Sequence, residues 1–325
     1  DAKAVADCAT AAWDIKLKGG TRTGTVWTNS GTSASAVTSK GGTLGSPFAY
    51  TWANLKTWTK ATRIPGDASD IPSVAWLKDG LKNVFTGTNT IGSAAYEYGL
   101  SGSHKFLPNY RTFLITTDSS KAYTDSDNAD GVKVFTLQVT GYYGGASGTT
   151  SGYPSLRFAE KTTASTFGTV ETVSALDASN ESTWKYYDLV NKTVVDVPTG
   201  DNWQIAFNRY GIKLNQGDVG TGGKVGAFLS RTPAGFYEAD GKTPIVSKFE
   251  SAGAAADTLP DLTASDLSLP TAANKWVKDV FNSPLNPNYT GSYPGPLNYG
   301  WFMYYSNATD AAGVGLGAAH MIKAV

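Results

Sequence analysis

The sequence predicts a mainly β protein of two antiparallel modules, each carrying one short helix. Three observations support that expectation: apolar residues alternate at strand spacing, the composition favours short strands and turns, and a set of motifs recurs in order. Phe135, Leu137 and Val139 fall on one side of an extended segment, with Thr136 and Gln138 on the other. That is the period of two expected of a strand with one face buried. Trp203, Ile205 and Phe207 repeat the pattern, and Tyr187 with Leu189 begins another. Aromatic residues make up 12 % of the chain and 36 of its 325 residues are Gly. Aromatic side chains pack well on a pleated surface, and glycine opens the turns that many short strands require.

The recurrence is extensive. Trp13, Ile15 and Leu17 return as Trp203, Ile205 and Phe207, and Asn29 with Gly31 as Asn215 with Gly217. Gly41, Gly42 and Gly45 match Gly222, Gly223 and Gly226, while Ala68, Ser69 and Asp70 match Ala264, Ser265 and Asp266. Trp76, Lys78 and Asp79 match Trp276, Lys278 and Asp279, and Asn109, Tyr110 and Phe113 match Asn298, Tyr299 and Phe302. The order is kept and the offsets stay between 181 and 200 residues. Six short matches in register point to a duplicated module.

Along the chain, Val74, Leu77 and Leu81 at helical spacing, behind Asp70 and Ser73 as caps, predict a helix over 73–85. Its counterpart is expected over 272–281, and Pro72 and Pro270 sit near the two starts, where a missing N–H costs little. The stretches 86–105 and 283–296 read as loops. A hairpin of 132–143 with 153–158 closes the first copy, and a strand over 184–197 opens the second; each copy lacks the piece its sister owns. The Thr- and Ser-rich stretch between them is the expected seam, which sets a first module at 1–160, a linker at 161–182 and a second module at 183–325. A sheet short of a strand exposes unpaired N–H and C=O groups, so self-association through open sheet edges is expected, or an exchange of strands between the chain's own two modules.

Charge excludes some partners. Lys and Arg number 27, Asp and Glu 27, and charged residues are only 17 % of the chain. No basic surplus is available to neutralise a phosphate backbone, so nucleic acid is not an expected partner. The apolar runs are far shorter than a transmembrane segment needs. Cys8 is the single cysteine, which rules out an internal disulfide and cysteine-based metal clusters; it reads as a small buried hydrophobe, with an intermolecular disulfide or an attached group as the alternatives. The chain opens at Asp1, without Met or a signal peptide, and reads as a processed form.

Asp125, Asp127 and Asp130, followed by Gly131, resemble an oxygen-rich calcium loop, although the spacing departs from the EF-hand and no bidentate Glu follows. A hairpin tip accounts for the same residues. No nucleophile–base arrangement or dinucleotide fingerprint follows a strand, so an enzyme is not expected. Trp13, Trp203, Trp76 and Trp276 recur between copies as packing positions. Trp27, Trp52 and Trp58 have no counterparts and are expected to be the more exposed ones; they read either as core or satellite packing or as a patch for a porphyrin, another small aromatic ligand, a sugar or a neighbouring subunit.

Residues 184–226, with their Trp203-Gln-Ile-Ala-Phe run and Gly-rich turn, resemble the opening of HmuY-family proteins. Residues 297–305 look like that family's Trp-Tyr-Tyr strand, and 132–158 like its closing hairpin. The resemblance implies a largely β fold in two HmuY-like modules, placed extracellularly or on the outer-membrane surface of a bacterium and binding haem through axial side chains from protruding loops. The imidazoles present for that role are His104 and His320, one per copy and at non-equivalent positions. Two histidines are few for bis-imidazole ligation. The alternative is a structural surface protein or fibre subunit that keeps the fold without haem.

Overall fold

The computed structural model describes residues 13–18, 25–31, 41–44, 76–77, 79–123, 131–283, 297–298, 303–304 and 322–323. The strands in chain order are β1 (Ile15–Lys18), β2 (Thr25–Thr28), β3 (Gly42–Leu44), β4 (Trp76–Leu77), β5 (Gly80–Lys82), β6 (Tyr96–Tyr98) and β7 (Phe106–Pro108). They continue with β8 (Thr112–Thr116), β9 (Val134–Gly144), β10 (Thr150–Glu160), β11 (Glu171–Val173), β12 (Lys185–Asp188), β13 (Thr193–Val195) and β14 (Ile205–Asn208). The last are β15 (Gly211–Leu214), β16 (Gly226–Arg231), β17 (Val280–Asn282), β18 (Leu297–Asn298), β19 (Met303–Tyr304) and β20 (Ile322–Lys323). The fold is mainly β with antiparallel sheets and few short helices, as the composition and alternation predict.

The chain forms two compact units, one of Asp1–Leu81 with Phe281–Val325 and the other of Lys82–Val280. These divisions differ from the expected module limits at 160 and 183. The stretch 161–182, expected as a linker, contributes β11 to a sheet and buries Leu176 and Ala178 in the core.

The Lys82–Val280 unit is a β-sandwich. One sheet runs β11-β10-β9-β8-β16 and the other β13-β12-β14-β15. Phe113 and Ile115 of β8, Phe135, Leu137 and Val139 of β9, and Leu156 and Phe158 of β10 point into one core, which meets Tyr187, Ile205, Phe207, Ile212 and Leu214 of the other sheet. The rings of Phe158 and Tyr187 make an edge contact across the layers at 6.0 Å. Burying such side chains contributes roughly 1.5–3 kcal/mol each relative to exposure.

The outer face of the larger sheet is also covered. Thr136 and Gln138 are fully buried, because three one-turn helices, Val246–Phe249, Ala254–Asp257 and Leu259–Leu262, begin a segment that packs there. Gln138 Nε2 donates to Thr258 O at 3.1 Å, and Arg157 donates to Gln138 Oε1 at 2.7 Å, Ala255 O at 2.6 Å and Thr258 Oγ1 at 3.0 Å.

In the other unit, β1 pairs with β2, β3 lies between β20 and β4, and β18 pairs with β19. Asn29 Nδ2 donates to Trp13 O at 2.6 Å, and Asp79 accepts the Thr28 N–H at 3.0 Å.

Several expectations are corrected. The helix expected over 73–85 is replaced by strands β4 and β5 and a turn over 76–77 and 79–85; residues 73–75 and 78 lie outside the described residues. Gly80 in mid-segment disfavours a helix by about 1 kcal/mol. Over 272–281 only a single 3₁₀ turn, Ala273–Lys275, forms. Val277 then exchanges both backbone hydrogen bonds with Ala227, at 2.7 and 2.9 Å, so the edge of β16 recruits this β-branched segment. The loop expected over 86–105 contains β6. Trp27 is buried, at 5 % exposure, rather than exposed. Trp52, Trp58, Cys8, His320 and the triad Asp125, Asp127 and Asp130 lie outside the described residues.

Candidate functional site

His104 is held at the end of a β-hairpin. Strands β6 and β7 pair with Tyr96 opposite Pro108 and Tyr98 opposite Phe106. Gly99, at φ 73°, opens the connection and bonds back to Lys105 O at 3.1 Å; a left-handed residue here is readily glycine. Within the connection Ser103 Oγ donates to Leu100 O at 2.7 Å. His104 is exposed, and its Nδ1 lies 3.0 Å from the Tyr98 hydroxyl. In the tautomer whose Nδ1–H donates to Tyr98, Nε2 keeps its lone pair. That is the arrangement in which a partner orients an imidazole for a metal bond.

Beside this imidazole lies an aromatic surface collected from three strands and one turn. The Phe106 ring sits 4.8 Å from Tyr98, 4.4 Å from Tyr142 and 5.1 Å from Tyr210, with the last pair stacked at 29°. Tyr143 accepts the Phe106 N–H at 3.0 Å, and Tyr96 meets Tyr142 edge-on at 5.4 Å. Tyr210 stands in the two-residue turn between β14 and β15 and is 41 % exposed. Its neighbour Arg209 (φ 51°) anchors that turn: its N–H donates to Ala178 O at 2.9 Å, and its guanidinium reaches Ser151 Oγ at 3.1 Å and Glu181 at 3.2 Å. Burial raises the Tyr142 hydroxyl above the ordinary tyrosine value, with the Arg209 charge pulling the other way. Tyr96 and Tyr142 are buried beneath this surface, so the rings it offers are those of Tyr98, Phe106, Tyr143 and Tyr210, beside one imidazole and one guanidinium.

A planar aromatic ligand suits such a surface, since ring stacking adds about 0.5–1.5 kcal/mol per pair beyond area burial. For haem the residues fit one axial bond. His104 is the one histidine among the described residues, and His320 lies outside them. Among them, too, no three His, Cys, Asp or Glu side chains gather to hold a metal ion.

With this geometry in place, comparison with known proteins adds one finding. Residues 180–316 match the family model of the HmuY protein. This supports the HmuY resemblance seen from residue 184 onward, over less than half of the chain. No curated protein and no solved structure matches the chain. The HmuY match includes β12 to β16 and so supplies Arg209 and Tyr210, while Tyr98, His104, Phe106, Tyr142 and Tyr143 come from outside it.

The matched segment also holds a lysine surrounded by aromatic rings. Lys213 Nζ lies 4.7 Å from the centre of Trp184, 4.8 Å from Tyr186 and 5.4 Å from Trp203, and donates to the Tyr186 hydroxyl at 3.3 Å. Burial pulls its pKa down to about 8, while the charge of Asp279 acts in the opposite sense. Asp279, itself buried, is pushed up to about 7 by desolvation and accepts the Leu214 N–H at 2.7 Å.

The sequence names His104 only as a candidate and does not reveal the aromatic side chains around it. Tyr98, Tyr142 and Tyr210 are visible as aromatics, yet nothing in their spacing links residues dozens of positions apart; only the sheet pairing does so.

Proposed function

We propose that this is a non-enzymatic, exported protein of a bacterial surface that binds haem as HmuY-type proteins do, through the aromatic surface at His104. The observation that carries the proposal is the Tyr98-oriented imidazole beside the Phe106–Tyr210 stack. The HmuY match over 180–316 supports the ligand class and the surface location. Among the described residues no helix is long and apolar enough to cross a membrane. The test is a haemin titration read by the Soret band. His104→Ala should weaken binding more than about tenfold, and Tyr98→Phe by about tenfold through loss of the orienting hydroxyl. A parent protein without a Soret shift would end the haem proposal.

A second reading, a structural surface or fibre subunit without haem, is favoured by the single imidazole among the described residues. In that case the parent shows no Soret shift, and light scattering at micromolar concentration detects assemblies.

A further inference from the structure

The two compact units repeat one network of hydrogen bonds. In one, Asn29 Nδ2 donates to Trp13 O at 2.6 Å; in the other, Asn215 Nδ2 donates to Trp203 O at 2.9 Å. Thr28 N donates to Asp79 Oδ2 at 3.0 Å, and Leu214 N to Asp279 Oδ2 at 2.7 Å. Asn29 N reaches Asp14 O at 3.1 Å, and Asn215 N reaches Gln204 O at 3.2 Å. Gly41 N donates to Asn29 O at 3.2 Å, and Val225 N to Asn215 O at 3.1 Å. Thr43 pairs with Leu77 as Ala227 pairs with Val277. This places Gly42 against Gly226, a register three residues from the one that the glycine motifs alone suggest.

The next strand of each network breaks sequence order. Beside β3 lies β20, with Ile322 opposite Thr43 and Lys323 opposite Gly42. Beside β16, in the same register, lies β8, with Ile115 opposite Ala227 and Thr116 opposite Gly226. The neighbour of β3 thus comes from the far end of the chain, whereas the neighbour of β16 comes from before the second copy begins. The HmuY match crosses from one compact unit to the other at 280/281, so the matched segment is not a structural unit by itself.

We propose that the chain holds two copies of one module that have exchanged their C-terminal strands within the same molecule. The opening half of the first copy, from Trp13 to Asp79, is completed by β20 of the second. The opening half of the second, from Trp203 to Asp279, is completed by β8, β9 and β10 of the first. The receiving edges, β3 and β16, present the same backbone register to their neighbours, and β20 takes the place beside β3 although the sequence counterpart of β8 is 301–305, which holds β19. The exchange is unequal. Ile205 and Phe207 are fully buried under the β9–β10 hairpin, whereas their counterparts Ile15 and Leu17 remain 46 % and 69 % exposed.

Two full-length variants test this. The first carries a protease recognition sequence inserted between the exposed residues Glu181 and Ser182. After cleavage, the two fragments should coelute on native gel filtration and separate only in denaturant, because each unit needs both. Fragments that separate without denaturant overturn the exchange. The second variant carries Cys8→Ser with Leu114→Cys and Phe228→Cys, a cross-strand pair of β8 and β16. Oxidation should crosslink it within one chain, giving a faster-migrating monomer on a non-reducing gel. Disulfide-linked dimers, or no crosslink in a protein whose circular dichroism matches the parent, overturn it.

Discussion

Asp279 shows how one buried group can set a pH dependence. Its carboxyl ionises near 7 in the folded protein against an ordinary 3.8, chiefly because burial penalises the charged form. Between about pH 4 and pH 7 the native state therefore keeps a proton that the unfolded chain has released, and stability falls as pH rises through that window. Lys213 acts in a higher window. Its pKa is lowered to about 8 from an ordinary 10.5, so between those values the unfolded chain binds the extra proton and stability rises with pH. In Asp279→Asn the side-chain oxygen can still accept the Leu214 N–H but no charge is buried. Urea unfolding at pH 4.5 and pH 7 should show a smaller difference for this variant than for the parent. Asn215 is the other residue on which local structure turns: it donates to Gly200 O and Trp203 O at 2.9 Å each and accepts the Thr221 N–H at 2.8 Å. Asn215→Ala should cost about 2–4 kcal/mol in denaturant unfolding, since it strands several buried partners at once.

The β9–β10 hairpin is the element on which the sandwich depends. Its apolar alternation was legible in the sequence because Phe135, Leu137 and Val139 face one core. The burial of Thr136 and Gln138 on the opposite side was not, because the segment that covers them lies more than a hundred residues away. Arg157 fastens that cover. Its guanidinium is spent on Gln138, Ala255 and Thr258 with little solvent access. Arg157→Ala should cost about 3–5 kcal/mol and expose the 246–262 segment to proteolysis before the sandwich core unfolds. The expected helices failed for an equally local reason. Three apolar residues at helical spacing are a weak signal when Gly80 interrupts one segment and β-branched Val277 and Val280 occupy the other.

For the whole molecule, charge balance is the governing property. Lys and Arg equal Asp and Glu at 27 each, and the isoelectric point is about 6.9. With so little net repulsion near neutral pH, solubility should be lowest around pH 7 and rise on either side, as a solubility profile from pH 5 to pH 9 would show. A minimum well away from neutrality would mean that buried groups such as Asp279 and Lys213 dominate the titration.

The sequence by itself determined the β class, the recurring Trp, Asn, Gly and Asp positions, the hairpin of β9 with β10 and the candidate imidazole His104. Each is written in local alternation or in short motifs whose chemistry acts over a few residues. The tertiary structure alone decided which strands close which sheet, because β3 and β16 offer the same backbone register and a local motif does not say which distant strand fills it. It also decided the surroundings of His104. Tyr98, Phe106, Tyr142 and Tyr210 become neighbours only when β6, β7, β9 and the β14–β15 turn converge, and that convergence is a product of sheet register and core packing rather than of any spacing along the chain.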